Sequence, residues 1–178
     1  YVVPVVASAV VWEWLYHPSQ GLINYLLSFL GIGRIGWLVD TRYAMSALII
    51  LGIWGHLGFD MIIFLAGLKA IPTVYYDASK VDGANGWQRL VHVTLPQLRP
   101  VILFVIIVGT IRAFEVFGQV YVMTAGGPAE ATRVIVYDIY TTAFRSHNMG
   151  YASAMSFVLF AVLLVFTALQ LRLSRELA

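Results

Sequence analysis

The segment YYDASKVDGANGWQRLVHVTLPQLRP runs from Tyr75 to Pro100 and separates two stretches that are almost purely apolar. It holds two acidic residues, three basic residues and two prolines, in a chain that is 60% hydrophobic and 11% charged. The pair Asp82-Gly83 in its middle is a turn signal. A polar island of this kind predicts a connection between two buried segments.

The composition of the whole chain is that of an integral membrane protein. Its mean hydropathy of +0.82 lies far above that of a soluble domain, in which apolar residues make up roughly half of the chain. Ten Phe, ten Tyr and five Trp are typical of the aromatic belts at membrane surfaces.

Several other classes of protein are excluded. The chain has no Cys, which rules out disulfides, thiolate metal sites and Cys nucleophiles. The basic residues form no run that would bind nucleic acid, and His17, His92 and His147 lack the spacing of metal ligands. No glycine loop ends in Lys-Ser or Lys-Thr. We therefore expect a chain that is not an enzyme and holds no cofactor.

Three segments reach the ~20 mostly apolar residues that a bilayer-spanning helix requires: residues 43–68, 101–123 and 151–171. A fourth, residues 1–15, is apolar but short. Helix is the expected backbone, because the runs are too long and too uniformly apolar for barrel strands. The chain begins inside an apolar run and without Met, so we expect it to be part of a longer polypeptide.

Polar connections occupy residues 16–42, 69–99 and 124–150. In an alternating topology, loop 69–99 shares a side with the tail, and both Lys residues are on that side. The bases there are Lys69, Lys80, Arg89, Arg99, Arg172 and Arg175, against Arg34, Arg42, Arg133 and Arg145 on the other side. The positive-inside rule then predicts a cytoplasmic loop 69–99 and extracytoplasmic loops 16–42 and 124–150.

The polar island itself is predicted to be helical on both sides of a turn. Pro72 suits the first turn of a helix, where its missing N–H costs nothing, so TVYYDASKV forms a short helix. Gly83 and Gly86 allow a turn within DGANG. A second short helix is expected in WQRLVHV, ended by Pro96 and Pro100. Two interpretations remain open: an amphipathic connector on the membrane surface, or a docking element that fits a groove on a partner protein.

This island resembles the cytoplasmic motif of permease subunits in binding-protein-dependent ABC importers, often written E-A-A-x-x-x-G with a trailing L-P. Four further blocks, WLYHPSQGLIN, IWGHLGFDMIIFLAGLKAIP, FGQVYVMTAGGPAEAT and GYASAMSFVLF, look like the maltose-type sugar permeases of that family. The resemblance covers essentially the whole chain in order. Asp77 and Ser79 depart from the usual Glu and Ala, but keep the charge and the size.

The resemblance implies an all-α transmembrane bundle, the type I ABC importer permease core, with a cytoplasmic coupling helix that meets the ATPase subunit. About two of its six spans would precede Tyr1. The coupling positions carry over to Asp77, Ala78, Asp82, Gly83, Ala84, Leu95 and Pro96. The implied location is the prokaryotic cytoplasmic (inner) membrane. The implied partners are membrane lipid, a second permease subunit, two ATPase subunits that bind ATP and Mg, and an extracytoplasmic solute-binding protein.

Polar residues inside the predicted spans are candidates for a site, because ionisable groups at membrane depth are costly. His56 and Asp60, four residues apart, and Arg112 and Glu115, three apart, could instead simply pair along their helices. The resemblance assigns a mid-membrane sugar pathway to Gly52, Gly55, His56, Phe59, Arg112, Ala113 and Val116, with Tyr1 and Val5 as a weaker match.

The chemistry of these residues suits a sugar, since Phe59 offers a stacking face and Arg112 offers five donors. Arg112 equally suits an anionic substrate such as a sugar phosphate, or an ion pair with Glu115. We therefore expect one subunit of an ATP-driven sugar importer. The alternatives are an importer for a sugar phosphate or polyol, a proton-coupled secondary transporter, and a membrane-embedded enzyme.

Overall fold

The computed structural model describes residues 4–176, and the regular structure in that range is helical throughout. The α-helices are α1 Val5–Leu15, α2 Leu22–Ser28, α3 Ala44–Ala70, α4 Thr73–Val81, α5 Gly86–Arg89, α6 Leu95–Phe114, α7 Gly118–Met123, α8 Ile135–Tyr140 and α9 Met149–Glu176. Two π-helical segments, Leu90–Thr94 and Thr141–Arg145, continue α5 and α8. Three helical stretches are long and apolar enough to cross a membrane, which confirms the predicted all-α membrane fold.

The chain divides into two compact units, each built from separate stretches of sequence. The first comprises Tyr1–His56 and Arg112–Leu164, and the second comprises Leu57–Ile111 and Val165–Ala178. In the first unit α7 packs against α1. Its core is apolar and consists of Ala9, Tyr16, Ala47, Leu48, Leu51, Val120, Met123 and Tyr137.

Tyr16 ties this core to the start of α3. Its side chain is 1% exposed, and its hydroxyl donates a hydrogen bond to the Ala47 carbonyl at 2.9 Å. Burial raises the pKa of Tyr16 to about 12, so the phenol remains a donor. Rings extend outward from it, with centroids 5.3 Å away at Trp12 and 5.5 Å away at Trp37, and Trp37 lies 6.1 Å from Tyr43. This row of aromatics is typical of a membrane–water boundary.

In the second unit α3 and α9 contact α6 through a small residue and a polar pair. A Cβ placed on Gly67 would lie 2.7 Å from Val101 Cγ2 and 3.0 Å from Leu98 Cδ2, so this glycine permits close approach of the helices. The Gln170 amide donates to Thr110 Oγ1 at 2.9 Å. A hydrogen bond between spans of this kind stabilises helix association in the membrane.

The second helix of the polar island does not end at Pro96 or Pro100, contrary to expectation. It begins at Gly86 and continues through the π-helical segment into α6, which contains both prolines. In the π-helical turn the Leu95 N–H donates to the Leu90 carbonyl, five residues back. Such local π adjustments accommodate the N–H that proline lacks, so the helix passes through.

The predicted span 101–123 is also not one helix. It is interrupted at residues 115–117, where Phe117 has φ −140° and ψ −58°. After the interruption α7 packs closely against α1, and a Cβ placed on Gly118 would lie 2.6 Å from Val5 Cγ1. Gly118 therefore allows a close contact between α7 and α1.

We expect Gly67→Val to destabilise the protein, because the added side chain would overlap Val101 and Leu98 of α6. Overpacking of this kind costs about 1–3 kcal/mol. The measurement is the melting temperature of the detergent-purified complex. Gly58→Val is the matched control, since it lies in the same helix and a Cβ there meets nothing within 4 Å. Equal melting temperatures for the two variants would contradict the close packing at Gly67.

Candidate functional site

Residues 73–94, called the hairpin below, form a compact element of the second unit. Pro72 occupies the position before α4, as its fixed φ favours. At the other end of α4, Gly83 N–H donates to the Lys80 carbonyl at 3.0 Å and Ala84 N–H to the Ser79 carbonyl at 2.9 Å. This pair of bonds is a Schellman motif, which requires a left-handed residue. Gly83 supplies it, with φ +76°.

The second helix of the hairpin begins with a capping box. Asn85 Oδ1 accepts from the Gln88 N–H at 2.9 Å, and Gln88 Oε1 accepts from the Asn85 N–H at 2.8 Å. These reciprocal bonds satisfy two donors at the helix start. The turn is therefore held by local hydrogen bonds on both sides.

One face of α4 is hydrogen-bonded to the π-helical segment Leu90–Thr94, which follows the turn. Tyr76 Oη and Thr94 Oγ1 are 3.1 Å apart, and the Ser79 hydroxyl donates to the Tyr76 carbonyl at 2.7 Å. Ser79 and Thr94 are each 8% exposed. These contacts stabilise the orientation of α4 within the hairpin, and the sequence motif does not reveal them.

The opposite face of α4 is exposed and partly apolar. Val74 is 63% exposed and Val81 is 88% exposed, one turn on either side of Ala78. Trp87 on α5 is 72% exposed. Exposed apolar side chains of this kind are suited to contact with a partner protein or with the membrane surface.

The residues predicted for coupling lie in or beside the hairpin. Asp77, Ala78, Asp82 and Gly83 are exposed and Ala84 is half-buried. Asp77 pairs with Lys80 at 2.9 Å, with both side chains more than half exposed, so the pair contributes little stability. Leu95 and Pro96 lie apart from the turn, at the start of α6.

The residues predicted for a sugar pathway lie mostly in the first unit. Gly52 and Gly55 are half-buried and His56 is exposed on α3, while Arg112 is half-buried and Ala113 exposed near the end of α6. Val116 lies in the helix break and is half-buried. Phe59 belongs to the second unit. Tyr1 lies outside the described residues, and Val5 is the first residue of α1.

Gln119, on α7, contacts α3 within the first unit. It is 8% exposed, and its amide donates to the Leu48 carbonyl at 3.3 Å. A Cβ placed on Gly52 would lie 3.5 Å from Gln119 Nε2. The start of α7, just after the helix break, therefore meets α3 around a small residue and an amide. Interrupted helices at membrane depth are typical of binding sites in transporters.

An aromatic cluster follows the break in the same unit. The ring centroids of Phe117, Tyr121 and Tyr140 lie 5.0 to 5.4 Å from one another. Phe144 continues the cluster, 5.3 Å from Tyr140, and is 60% exposed. Within the side chains that the structure describes, those of residues 4–173, no group of three or more His, Cys, Asp or Glu could hold a metal ion.

The loop after α7 is more ordered than its Gly-Gly-Pro turn predicts. Thr132 is fully buried, bonded to Thr124 Oγ1 at 2.7 Å and to the Gly127 carbonyl at 2.6 Å. Arg133 contacts both Glu130 and Asp138. The hydrogen bond to Asp138, followed by its charge and by Glu130, raises the pKa of Arg133. No sequence signal pointed to this buried threonine.

Comparisons with known proteins agree with this architecture. The family model for "Binding-protein-dependent transport system inner membrane component" matches residues 1–178. The trehalose/maltose transport system permease protein MalF of Thermococcus litoralis is 39% identical over 178 residues, 98% of this chain and 59% of that protein. The sn-glycerol-3-phosphate transport system permease protein UgpA of Brucella abortus is 35% identical over 175 residues, 97% of this chain and 59% of that protein.

A solved structure is similar as well. It is the structure of a bacterial alginate ABC transporter in complex with alginate pentasaccharide-bound periplasmic protein. The TM-score is 0.88 at 27% identity, over 99% of this chain and 62% of that chain. The chain spans about three fifths of the length of the curated relatives that it matches.

These matches confirm the resemblance seen in the sequence blocks. The three helical stretches of membrane length agree with the location named by the family description, so the chain is a multi-pass inner-membrane protein. With the family model matched along its full length, this chain belongs to the binding-protein-dependent transport system inner membrane components, the permease subunits of ABC importers.

Proposed function

We propose that this chain supplies part of the transmembrane subunit of an ATP-driven importer that carries a sugar across the inner membrane. The observation that carries the proposal is the exposed face of the hairpin, where Val74, Val81 and Trp87 are accessible beside the turn at Gly83. An element whose turn is held by local hydrogen bonds and whose exposed face is apolar is suited to a groove on a partner.

The partner of the hairpin in this proposal is an ATPase subunit. Asp77 and Asp82 border the exposed apolar face and offer carboxylates to basic or backbone donors. Ala78 and Ala84 are small enough for close approach, and Leu95 and Pro96 lead from the hairpin into α6. Closure of the ATPases would then move the hairpin together with α6. ATP and Mg bind to those separate subunits, which hydrolyse the nucleotide.

The route of the sugar would pass the helix break, along Gly52, Gly55, His56, Arg112, Ala113 and Val116, with Phe59 and Tyr1 as further candidates. The amide of Gln119 beside Gly52 and the aromatic cluster around Tyr140 support a substrate that has both hydroxyls and an apolar face. The relatives' names mention trehalose, maltose and sn-glycerol-3-phosphate, so neutral sugars and a phosphorylated polyol are both candidates.

The assembly would contain a second permease subunit, two ATPase subunits and an extracytoplasmic solute-binding protein. The similar alginate transporter was solved with a periplasmic protein, which supports the last of these partners. In this topology, loops 16–42 and 124–150 would face the binding protein. The ordered loop around Thr132 offers a fixed surface for it.

Purification and reconstitution test the proposal. We expect the detergent-solubilised protein to co-purify with ATP-binding subunits, and sugar uptake into proteoliposomes to require ATP and the binding protein. The readout is uptake of radiolabelled trehalose and sn-glycerol-3-phosphate, with an imposed proton gradient as the control. Uptake that follows the proton gradient and ignores ATP would instead identify a secondary transporter.

A further inference from the structure

A cavity of about 350 Å³ lies in the first unit, next to the end of α1. Its lining combines aromatic and polar groups, including Trp14, Ser19, Gln20, Tyr25, Ser28 and Arg34. That volume falls within the range of ligand pockets, roughly 300–1,000 Å³. None of these residues belongs to the hairpin or to the proposed sugar route.

The surroundings of the cavity place it at a membrane–water boundary. Trp14 is two residues from Tyr16, which belongs to the row of aromatics between α1 and α3. On α2, the side chains that flank the cavity residues are apolar and exposed: Leu26 is 55% exposed, Phe29 71% and Leu30 74%. Apolar surface of this kind beside a belt of Trp and Tyr is suited to the acyl region of a bilayer.

The walls of the cavity are held in place by Asn24. Its amide donates to the Pro18 carbonyl at 3.1 Å and to the Ile35 carbonyl at 2.8 Å. Its oxygen accepts from Ile35 N–H at 3.2 Å and from Trp37 Nε1 at 3.1 Å. Asn24 is 6% exposed. The loop on which Arg34 lies is thus fastened to α2 before any ligand binds.

Arg34 is the charged group of the cavity. Among the side chains of residues 4–173, which are the ones described, no ion pair or hydrogen bond engages its guanidinium. Asp40, an acid of the same loop, accepts instead from the Arg42 N–H at 2.9 Å. An exposed guanidinium without an acidic partner, next to hydroxyl and amide groups, is suited to a phosphate, which Arg binds through two parallel hydrogen bonds.

We propose that this cavity binds the headgroup of an anionic phospholipid, with Arg34 on the phosphate, Trp14 and Tyr25 at headgroup level, and the acyl chains along the apolar face of α2. The group that the cavity recognises is a phosphate diester. A soluble phosphate would meet the same guanidinium but gain nothing from Leu26, Phe29 and Leu30. The site is distinct from the sugar route, but most of its lining lies in loop 16–42, which the proposed assembly also turns toward the binding protein.

The test measures lipid retained by the assembled complex. Complexes in nanodiscs of phosphatidylcholine with added phosphatidylglycerol are extracted mildly, and bound lipid is counted by native mass spectrometry. We expect the complex to retain phosphatidylglycerol in preference to phosphatidylcholine. In Arg34→Gln the retained phosphatidylglycerol should fall about tenfold, as removal of a charge-assisted hydrogen bond predicts. Arg42→Gln is the matched control, a base in the same loop outside the cavity, and should retain lipid as the unmodified protein does.

Further variants and competitors separate the possible occupants. Arg34→Lys keeps the positive charge but loses the planar fork of donors. The amount of phosphatidylglycerol that it retains should therefore lie between the amounts retained by Arg34→Gln and Arg42→Gln. Equal retention in Arg34→Gln and Arg42→Gln overturns the proposal. So does full displacement of phosphatidylglycerol by inorganic phosphate, which would indicate a site for small anions. A weaker affinity of Arg34→Gln for the solute-binding protein, with lipid unchanged, would assign the cavity to that partner instead.

Discussion

Gly83→Asp is expected to reduce ATP-dependent uptake and stimulation of the ATPase to background, while the protein remains folded in the membrane. Gly83 is exposed, and a Cβ there meets nothing within 4 Å. Its φ of +76° costs a non-glycine residue about 1–2 kcal/mol, less for Asp. The fold therefore tolerates the change. If the hairpin docks on an ATPase subunit, however, the new carboxylate is buried there without a partner, at a cost of several kcal/mol.

Each ~1.4 kcal/mol of that cost weakens docking about tenfold. Uptake into proteoliposomes, ATPase rate and the amount of ATPase subunit that co-purifies give the three readouts. Gly83→Asn is the matched control, because Asn has the same size, also adopts positive φ and carries no charge. We expect it to keep most of the transport. Normal uptake in Gly83→Asp would remove the hairpin from the coupling pathway.

The helix at the start of the hairpin was predictable because its signals are local. Pro72 and Gly83 mark the start and the end of α4, and each restricts only its own part of the backbone. The same reasoning was wrong at Pro96. A proline removes one hydrogen bond, but a π-helical turn just before it restores the backbone pairing. Whether a chain adopts that turn depends on its surroundings, so the proline alone does not predict it.

The helix break at residues 115–117 was missed for a related reason. Hydropathy measures whether a segment prefers the membrane, and residues 101–123 are apolar enough to do so in one piece. The segment after the break packs at Gly118 against Val5, more than one hundred residues away in sequence, and hydropathy does not report such a contact. Gly118 alone was the available signal, and a single glycine in an apolar segment also fits a continuous helix.

In the candidate site, too, local features were predicted and contacts between residues distant in sequence were not. The sequence predicted the first helix of the hairpin and its turn, since both follow from neighbouring residues. It did not indicate that Tyr76 and Thr94 hold α4 in place, nor that Gln119 reaches α3 beside Gly52. Both contacts join residues that are distant in sequence. The roles of Arg112 and His56 remain predictions, because position alone does not assign a substrate.

Arg112→Ala is expected to raise the KM for uptake about tenfold or more, because a hydrogen bond to a charged group is worth about 1.5–3 kcal/mol. Arg112 is half-buried, three residues before the helix break. If it binds a phosphate, the KM for sn-glycerol-3-phosphate should rise more than the KM for trehalose. Uptake kinetics of both compounds in proteoliposomes, at saturating ATP and binding protein, provide the measurement.

Two further variants separate a role in binding from a role in folding. Arg112→Lys retains the charge without the planar fork, so it should rescue an electrostatic role but not a bidentate one. Glu115→Gln removes the acid that could pair with Arg112 along the chain. If Arg112 serves only that pair, Arg112→Ala and Glu115→Gln should lower the melting temperature equally and leave both KM values unchanged. A KM that changes in Arg112→Ala but not in Glu115→Gln would place Arg112 on the substrate, since loss of the ion pair alone would affect both variants.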